Sequence, residues 1–313
     1  MAHAHSHDHH HSHDGHASDR YGRRFIIAAV ANLAFIIAEL IYGWKANSLS
    51  LIADAGHNFG DVVGLLLAGG AWWLSRRAPT DRYTYGFGSS SIMASLVNAI
   101  LLLVAIGGVM WEAAGRLHEQ AAVSGGIVMG VAALGIVVNG ATAWLFHSGH
   151  RDLNVKAAFL HLAGDAAIAA GVVIAGFIIM RTGWVWLDPL TSIIICVLII
   201  WSTWQLLRSS VNLALHAAPD DVDTQKVREA LAVLPGVSEV HDLHVWGMST
   251  TESALSTHLL MPAGHPGDEF LENISVMLKE KFGIGHATIQ IELGDGHHPC
   301  AVGSDCSAPE EKI

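Results

Sequence analysis

Charge is scarce in this chain. Asp, Glu, Lys and Arg make up 14% of its 313 residues, while 51% are hydrophobic. An ordinary soluble globule carries about 25% charged residues, so a purely water-soluble fold is disfavoured. Cysteine is scarcer still. Cys196 lies in an apolar run, and Cys300 and Cys306 stand near the C-terminus. Three thiols do not make the disulfide framework of a small secreted domain. Excess basic charge is also missing: the net charge is −11. That removes a nucleic-acid partner, which needs a basic patch or stripe. No cleavable signal peptide is legible, because the first apolar run begins only at Phe25 and has no small-residue cleavage site behind it. That run is expected to target the chain itself. The Gly-x4-Gly-Lys-Ser/Thr phosphate loop is absent, which disfavours an ATP-driven pump. His-Glu-x-x-His and Gly-x-Ser-x-Gly are absent as well, which argues against a zinc protease or serine hydrolase.

Long apolar runs are what the chain does have. Six of them cover about 25–44, 49–74, 92–111, 125–146, 157–180 and 187–207, each near the ~20 residues that cross a hydrocarbon core. An even number of crossings puts both ends on one side. Arg20, Arg23, Arg24, Arg76, Arg77, Arg82, Arg151, Lys156 and Arg208 fall on that side, against Lys45, Arg116 and Arg181 on the other. The positive-inside rule then makes both termini cytoplasmic. Trp44, Trp111, Trp184 and Trp186 sit near run ends, as interfacial anchors would.

Two flanking regions differ in character. Residues 1–20 hold His3, His5, His7, His9, His10, His11, His13 and His16 among Ala, Ser, Gly and Asp, a low-complexity tract of the kind read as disordered and metal-attracting. The whole net charge of −11 belongs to residues 219–313, so a water-facing part follows the apolar one. Its pattern is helix 220–234, strands 237–248 and 254–261, helix 268–282 and strand 286–293. The order αββαβ predicts a compact α+β layer. The expected organisation is a His-rich cytoplasmic tail (1–20), a six-helix transmembrane domain (21–215), a cytoplasmic αββαβ domain (216–295) and a flexible tail (296–313).

The chemistry sits inside the apolar runs. His57 and Asp61 are four residues apart in the second run, and His161 and Asp165 repeat that spacing in the fifth. On a helix each pair shares one face, one turn apart. An ionised Asp at mid-bilayer costs about 2.5–3.5 kcal/mol, and such groups mark ion or proton paths. If the two helices face each other, two imidazoles and two carboxylates make a tetrahedral donor set suited to Zn²⁺. The neighbouring Gly56, Gly60 and Gly164 allow close helix approach. Asp54 lies near the face of His57, and Glu39 is a second costly acid in the first run. Zinc ligation needs neutral imidazole and deprotonated carboxylate, so protons compete with metal. Those requirements predict metal export coupled to proton entry, with a membrane metal sensor as the alternative. In the soluble part, His241, His258, His286 and Glu292 form a second candidate metal set on the predicted strands. His244, His297, His298, Cys300 and Cys306 are weaker additions, the Cys-x5-Cys spacing being looser than usual zinc spacings.

Four motifs carry a resemblance. They are Ser48-Leu49-Ser50-Leu51-Ile52-Ala53-Asp54-Ala55-Gly56-His57-Asn58-Phe59-Gly60-Asp61, Tyr85-Gly86-Phe87-Gly88, His161-Leu162-Ala163-Gly164-Asp165 and Val240-His241-Asp242-Leu243-His244-Val245-Trp246. With them, residues 22–295 resemble the cation diffusion facilitator family of divalent-metal transporters. The resemblance implies an α-helical membrane protein of six transmembrane helices with a metallochaperone-like cytoplasmic domain, a homodimer, and proton-driven alternating access in a bacterial inner membrane. It implies that His57, Asp61, His161 and Asp165 form the transport site, with zinc preferred and cadmium or cobalt as further cargo. It further implies a cytoplasmic zinc site of His241, His258, His286 and Glu292 near the dimer interface, completed by the partner's His-rich tail. Ser89, Ser90 and Ser91 depart from the family, which often has a basic residue and then Glu there. The loop around Thr80, Asp81, Tyr83 and Phe87 offers no metal set of its own.

Overall fold

The computed structural model describes residues 15–117, 121–146 and 153–294; side chains are described from residue 30, except at 145–146 and 153–158. The His-rich stretch before Gly15 and the tail bearing His297, His298, Cys300 and Cys306 lie outside the described residues. Six long helices come first: α1 (Gly15–Ala46), α2 (Leu49–Ser75), α3 (Ser90–Arg116), α4 (Gly125–Phe146), α5 (Leu153–Thr182) and α6 (Leu187–Ala214). After them come α7 (Thr224–Ala232), β1 (Glu239–Gly247), β2 (Ser253–Leu260), α8 (Asp268–Phe282) and β3 (Ile284–Glu292). Helix α1 begins at Gly15, ten residues before the apolar run, so part of the expected tail is helical.

Among the described residues, four helical stretches are long and apolar enough to cross a membrane: Ser90–Arg116, Gly125–Trp144, Phe159–Thr182 and Leu187–Ala214. The sequence predicted six. Helix α2 has the length, 27 residues, but Asp54, His57, Asn58 and Asp61 lower its hydropathy. The groups that make α2 chemically interesting are the ones that weaken it as an apolar span.

The chain divides into two units, residues 1–62 with 104–200, and residues 63–103 with 201–313. In the first, α4 lies along α5 at backbone distance. A Cβ on Gly125 would stand 2.7 Å from the Gly176 carbonyl oxygen, and one on Gly176 would stand 2.9 Å from the Met129 nitrogen. Small residues admit such contact in helices that have no hydrophobic drive to associate in lipid. Gly135 similarly receives the Phe35 ring of α1, 2.6 Å from where a Cβ would be.

The second unit contains the strands. β1 pairs antiparallel with β2, and β2 parallel with β3, so the sheet order is β1-β2-β3. The parallel pair needs a crossover, which α8 supplies. Val227 and Leu231 of α7 and Ile274 and Leu278 of α8 join Leu255, Leu259 and Ile284 in one buried core. Gly283 ends α8 in the left-handed region at φ 70°, where glycine carries no Cβ penalty. The αββαβ order read from the pattern is the one observed. The serines that depart from the family pattern dock here: Thr250 N donates to Ser91 Oγ at 3.0 Å, and Ser89 Oγ donates to the Met248 carbonyl at 3.2 Å.

Asp223 caps α7, accepting from Gln225 N and Lys226 N at 3.1 and 3.2 Å. The Lys226 amide, and then its ammonium, hold the Asp223 carboxyl below its usual value. A depressed folded-state value stabilises above the unfolded value and is lost as pH falls through the folded one. Asp223→Ala is therefore expected to lower the thermal midpoint near neutral pH and to shrink that gap towards zero in acid. Thermal unfolding of both proteins across a pH series checks it.

Candidate metal centres

The first centre joins α2 to α5. Four-residue spacing brings His57 and Asp61 to one face of α2, and His161 and Asp165 to one face of α5. Every imidazole lies close to every carboxylate. His161 Nε2 is 3.1 Å from Asp61 Oδ2 and 3.6 Å from Asp165 Oδ2. His57 Nε2 is 3.6 Å from Asp165 Oδ1 and 3.8 Å from Asp61 Oδ2. Ligands held at 2.0–2.1 Å by tetrahedral zinc stand about 3.4 Å from one another, so these edges fit one such ion after small movements. Donor atoms of His57, His161 and Asp165 all lie within 4.8 Å of one another; Asp61 closes the fourth corner through the two histidines. The rings meet edge to face at 5.8 Å. Asp165 and His57 form the enclosed floor, with side chains 5% and 13% exposed, and Asp61 and His161 the accessible rim at 32% and 47%. No Lys or Arg neutralises these carboxylates among the described residues. A divalent cation would.

A network that sequence reasoning missed fixes the start of α2. Asp188, in the first turn of α6, is buried. Its carboxylate accepts from Ser48 Oγ at 2.5 Å, Ser50 Oγ at 2.6 Å, Leu49 N at 2.7 Å and Ser50 N at 3.4 Å. The free N–H groups of a helix start attract an anion, and here the anion comes from another helix. The signal was a lone acid opening an apolar run, paired with Ser-Leu-Ser opening another. Asp188→Ala removes the acceptor shared by two buried hydroxyls and two amides, and a buried polar group left unpaired costs about 1–3 kcal/mol. The substitution is expected to destabilise the membrane domain, which Asp165→Ala is not, as read by thermal aggregation in detergent.

The second centre lies on the sheet. His241 and His258 are cross-strand partners on β1 and β2, and Glu292 ends β3. Glu292 Oε2 is 3.0 Å from His241 Nε2, and its Oε1 is 3.0 Å from His258 Nδ1. The second approach does not form a hydrogen bond: His258 Nδ1 is buried without a partner. Donor atoms of His241, His258 and Glu292 all lie within 4.8 Å of one another, and a His₂Glu set suits zinc. Between His241 and His244 the strand register shifts at a bulge, where Asp242 takes φ 50°. Asp242 accepts from His244 Nε2 at 3.0 Å and stands 3.5 Å from His258 Nε2. The structure keeps His286 apart. It pairs with Ala254 and meets the Tyr85 ring at 5.7 Å. Six residues of strand separate it from Glu292, about 20 Å at 3.3 Å per residue, so sharing a strand did not mean sharing a site. Cys300 and Cys306 lie outside the described residues.

Long apolar helices, a His/Asp cluster able to hold a metal ion between two of them and a strand-bearing domain define a metal-binding helical membrane protein. The comparisons narrow that class. Residues 25–213 match the cation efflux transmembrane domain, and residues 219–293 match the cytoplasmic domain of cation efflux proteins. The zinc transporter ZitB of Escherichia coli (strain K12) is 37% identical over 313 residues, 99% of this chain and 97% of its own. The metal cation efflux system protein CzcD of Cupriavidus metallidurans is 35% identical, covering 91% of each chain. The cadmium, cobalt and zinc/H(+)-K(+) antiporter of Bacillus subtilis is 29% identical, covering 88% of this chain and 91% of its own. The chain belongs to the cation efflux family, and it is a transporter, not an enzyme.

Proposed function

We propose that this protein exports Zn²⁺ from the cytoplasm in exchange for protons, by alternating access at His57, Asp61, His161 and Asp165. Cd²⁺ and Co²⁺ are further cargo. The chain crosses a bacterial inner membrane six times, keeps both termini in the cytoplasm and works as a homodimer. His241, His258 and Glu292 hold a resident zinc ion in the cytoplasmic domain, and the His-rich tail gathers metal at its surface.

The observation that carries the reading is the set of four imidazole–carboxylate distances between 3.1 and 3.8 Å on α2 and α5. Relatives named as a zinc transporter and as a zinc/H(+)-K(+) antiporter support the cargo and the counter-ion. The ligand types supply the coupling. Imidazole binds metal only when neutral, and its unperturbed value is about 6.5. At the higher pH of the cytoplasm the cage loads. Facing a more acidic compartment it takes protons, lets the metal go and returns charged with protons.

Zinc flux across inside-out vesicles with an acidic lumen tests this. Zinc is expected to accumulate in the lumen, to stop when the gradient is collapsed, and to be lost in His57→Ala. Uptake indifferent to the gradient would refute proton coupling. Tight zinc binding with no flux under any gradient would make the protein a sensor instead.

A further inference from the structure

The cage is open at one end and shut at the other. Asp61 follows His57 by one turn on α2, and His161 precedes Asp165 by one turn on α5. The accessible pair, Asp61 and His161, faces along α2 away from its start; the enclosed pair, His57 and Asp165, faces towards it. Between the enclosed pair and the start of α2 the helix is packed tight. Ser48, Leu49, Ser50, Leu51, Ala53 and Ala55 are all buried.

The shut end is held by bonds that converge on residues 46–50. Asn47 joins α1 to α2 at φ 53°, a left-handed conformation that Asn tolerates better than most residues. Arg116, the last residue of α3, donates from Nη1 to Asn47 Oδ1 at 2.8 Å and to the Asn47 carbonyl at 3.2 Å. Its Nε donates to Glu112 Oε1 at 3.0 Å. In the connection to α4, the Ala122 carbonyl accepts from Asn47 Nδ2 at 3.2 Å, and Ser124 N donates to the Ala46 carbonyl at 3.1 Å. Asp188 ties Ser48, Leu49 and Ser50 to α6. All these residues belong to the unit that holds the cage.

A carrier that opens alternately to two sides has to open this end to let metal go. The ties there are not equally breakable. Asp188 and its serines are buried, so parting them leaves polar groups without partners, at full desolvation cost. The Arg116 side chain is 22% exposed, so water can replace Asn47 as its partner. We propose that Arg116 is a releasable latch on the turn between α1 and α2. Its bonds to Asn47 hold the cage shut on the side opposite the chain termini, and the Asp188 knot stays bonded as the pivot when they part. The latch rests on the alternating-access reading above for its role, but not for the closure itself.

A cysteine reporter tests it. Ala53 is buried one turn before His57, between the cage and the latched turn. A membrane-impermeant thiol reagent reaches Ala53→Cys from that side only when the end opens. The protein without the reporter gives the background of Cys196, Cys300 and Cys306. In right-side-out vesicles, Arg116→Ala is expected to speed labelling of the reporter about tenfold, the scale of a lost hydrogen bond to a charged group. Asn47→Gly should do the same, since glycine keeps φ 53° without a Cβ penalty and loses only the side chain. Glu112→Ala leaves both bonds to Asn47 in place and removes an exposed ion pair of little energy, so it should label at the parent rate. Parent-rate labelling in both Arg116→Ala and Asn47→Gly overturns the latch, and so does an equal rise in Glu112→Ala. A lower thermal midpoint in Arg116→Ala with no faster labelling in either variant makes Arg116 a structural tie only. Faster labelling in both variants of a protein that moves no zinc sinks the export reading alone and leaves the latch standing.

Discussion

Asp165→Ala is expected to abolish zinc flux and leave the protein folded. The carboxylate is 5% exposed and lies 3.6 Å from both histidines, so on the proposed reading its loss removes one corner of the cage and a charge that would hold the divalent ion. Losing an outer-shell partner of a metal ligand already costs 10–100-fold in affinity; losing the ligand should cost at least about 100-fold. Folding should move the other way. An ionised Asp costs about 2.5–3.5 kcal/mol at mid-bilayer, and among the described residues the ion-pair contacts of Asp165 are to the two histidines of the cage. Proteoliposome flux together with detergent thermal stability reads both effects. Near-normal flux, or a protein that collapses before it can be assayed, would count against the cage. Asp165→Asn separates charge from shape: it should lose flux nearly as completely.

Glu292→Gln is expected to empty the cytoplasmic centre without stopping transport. One carboxylate faces both imidazoles at 3.0 Å, and an amide in its place brings no charge and turns a donor towards one of them. Equilibrium dialysis of the intact protein should show one bound zinc ion lost. Flux at saturating zinc should persist, because the cage is built from α2 and α5 alone. A variant that retains its full zinc complement would show that His241 and His258 do not share an ion with Glu292.

The clustering of the four His and Asp residues could be foreseen and that of the sheet residues only in part, for a geometric reason. An i, i+4 pair on a helix has its face fixed by the helix itself, so His57 with Asp61 and His161 with Asp165 were readable one helix at a time. Strand residues get their neighbours from register, which is set by bulges and turns elsewhere. His241 and His258 fell opposite each other, but His286 fell beside Ala254 at the far end of the sheet. Asp188 was missed because its partners are amides and hydroxyls about 140 residues away, with no spacing to betray them.

What the sequence determined by itself is local and periodic. The apolar runs, the faces of α2 and α5, the αββαβ order and the family all follow from residue types at short spacing, where backbone geometry leaves little choice. Tertiary structure alone decided the rest. It brought the His/Asp faces of α2 and α5 to within 4 Å of each other. It set Asp188 at the start of α2 and put Asn58 against Glu39. It also chose which histidines of the sheet meet Glu292. These are contacts between distant segments, fixed by how helices pack and strands register, and neither is encoded in a spacing.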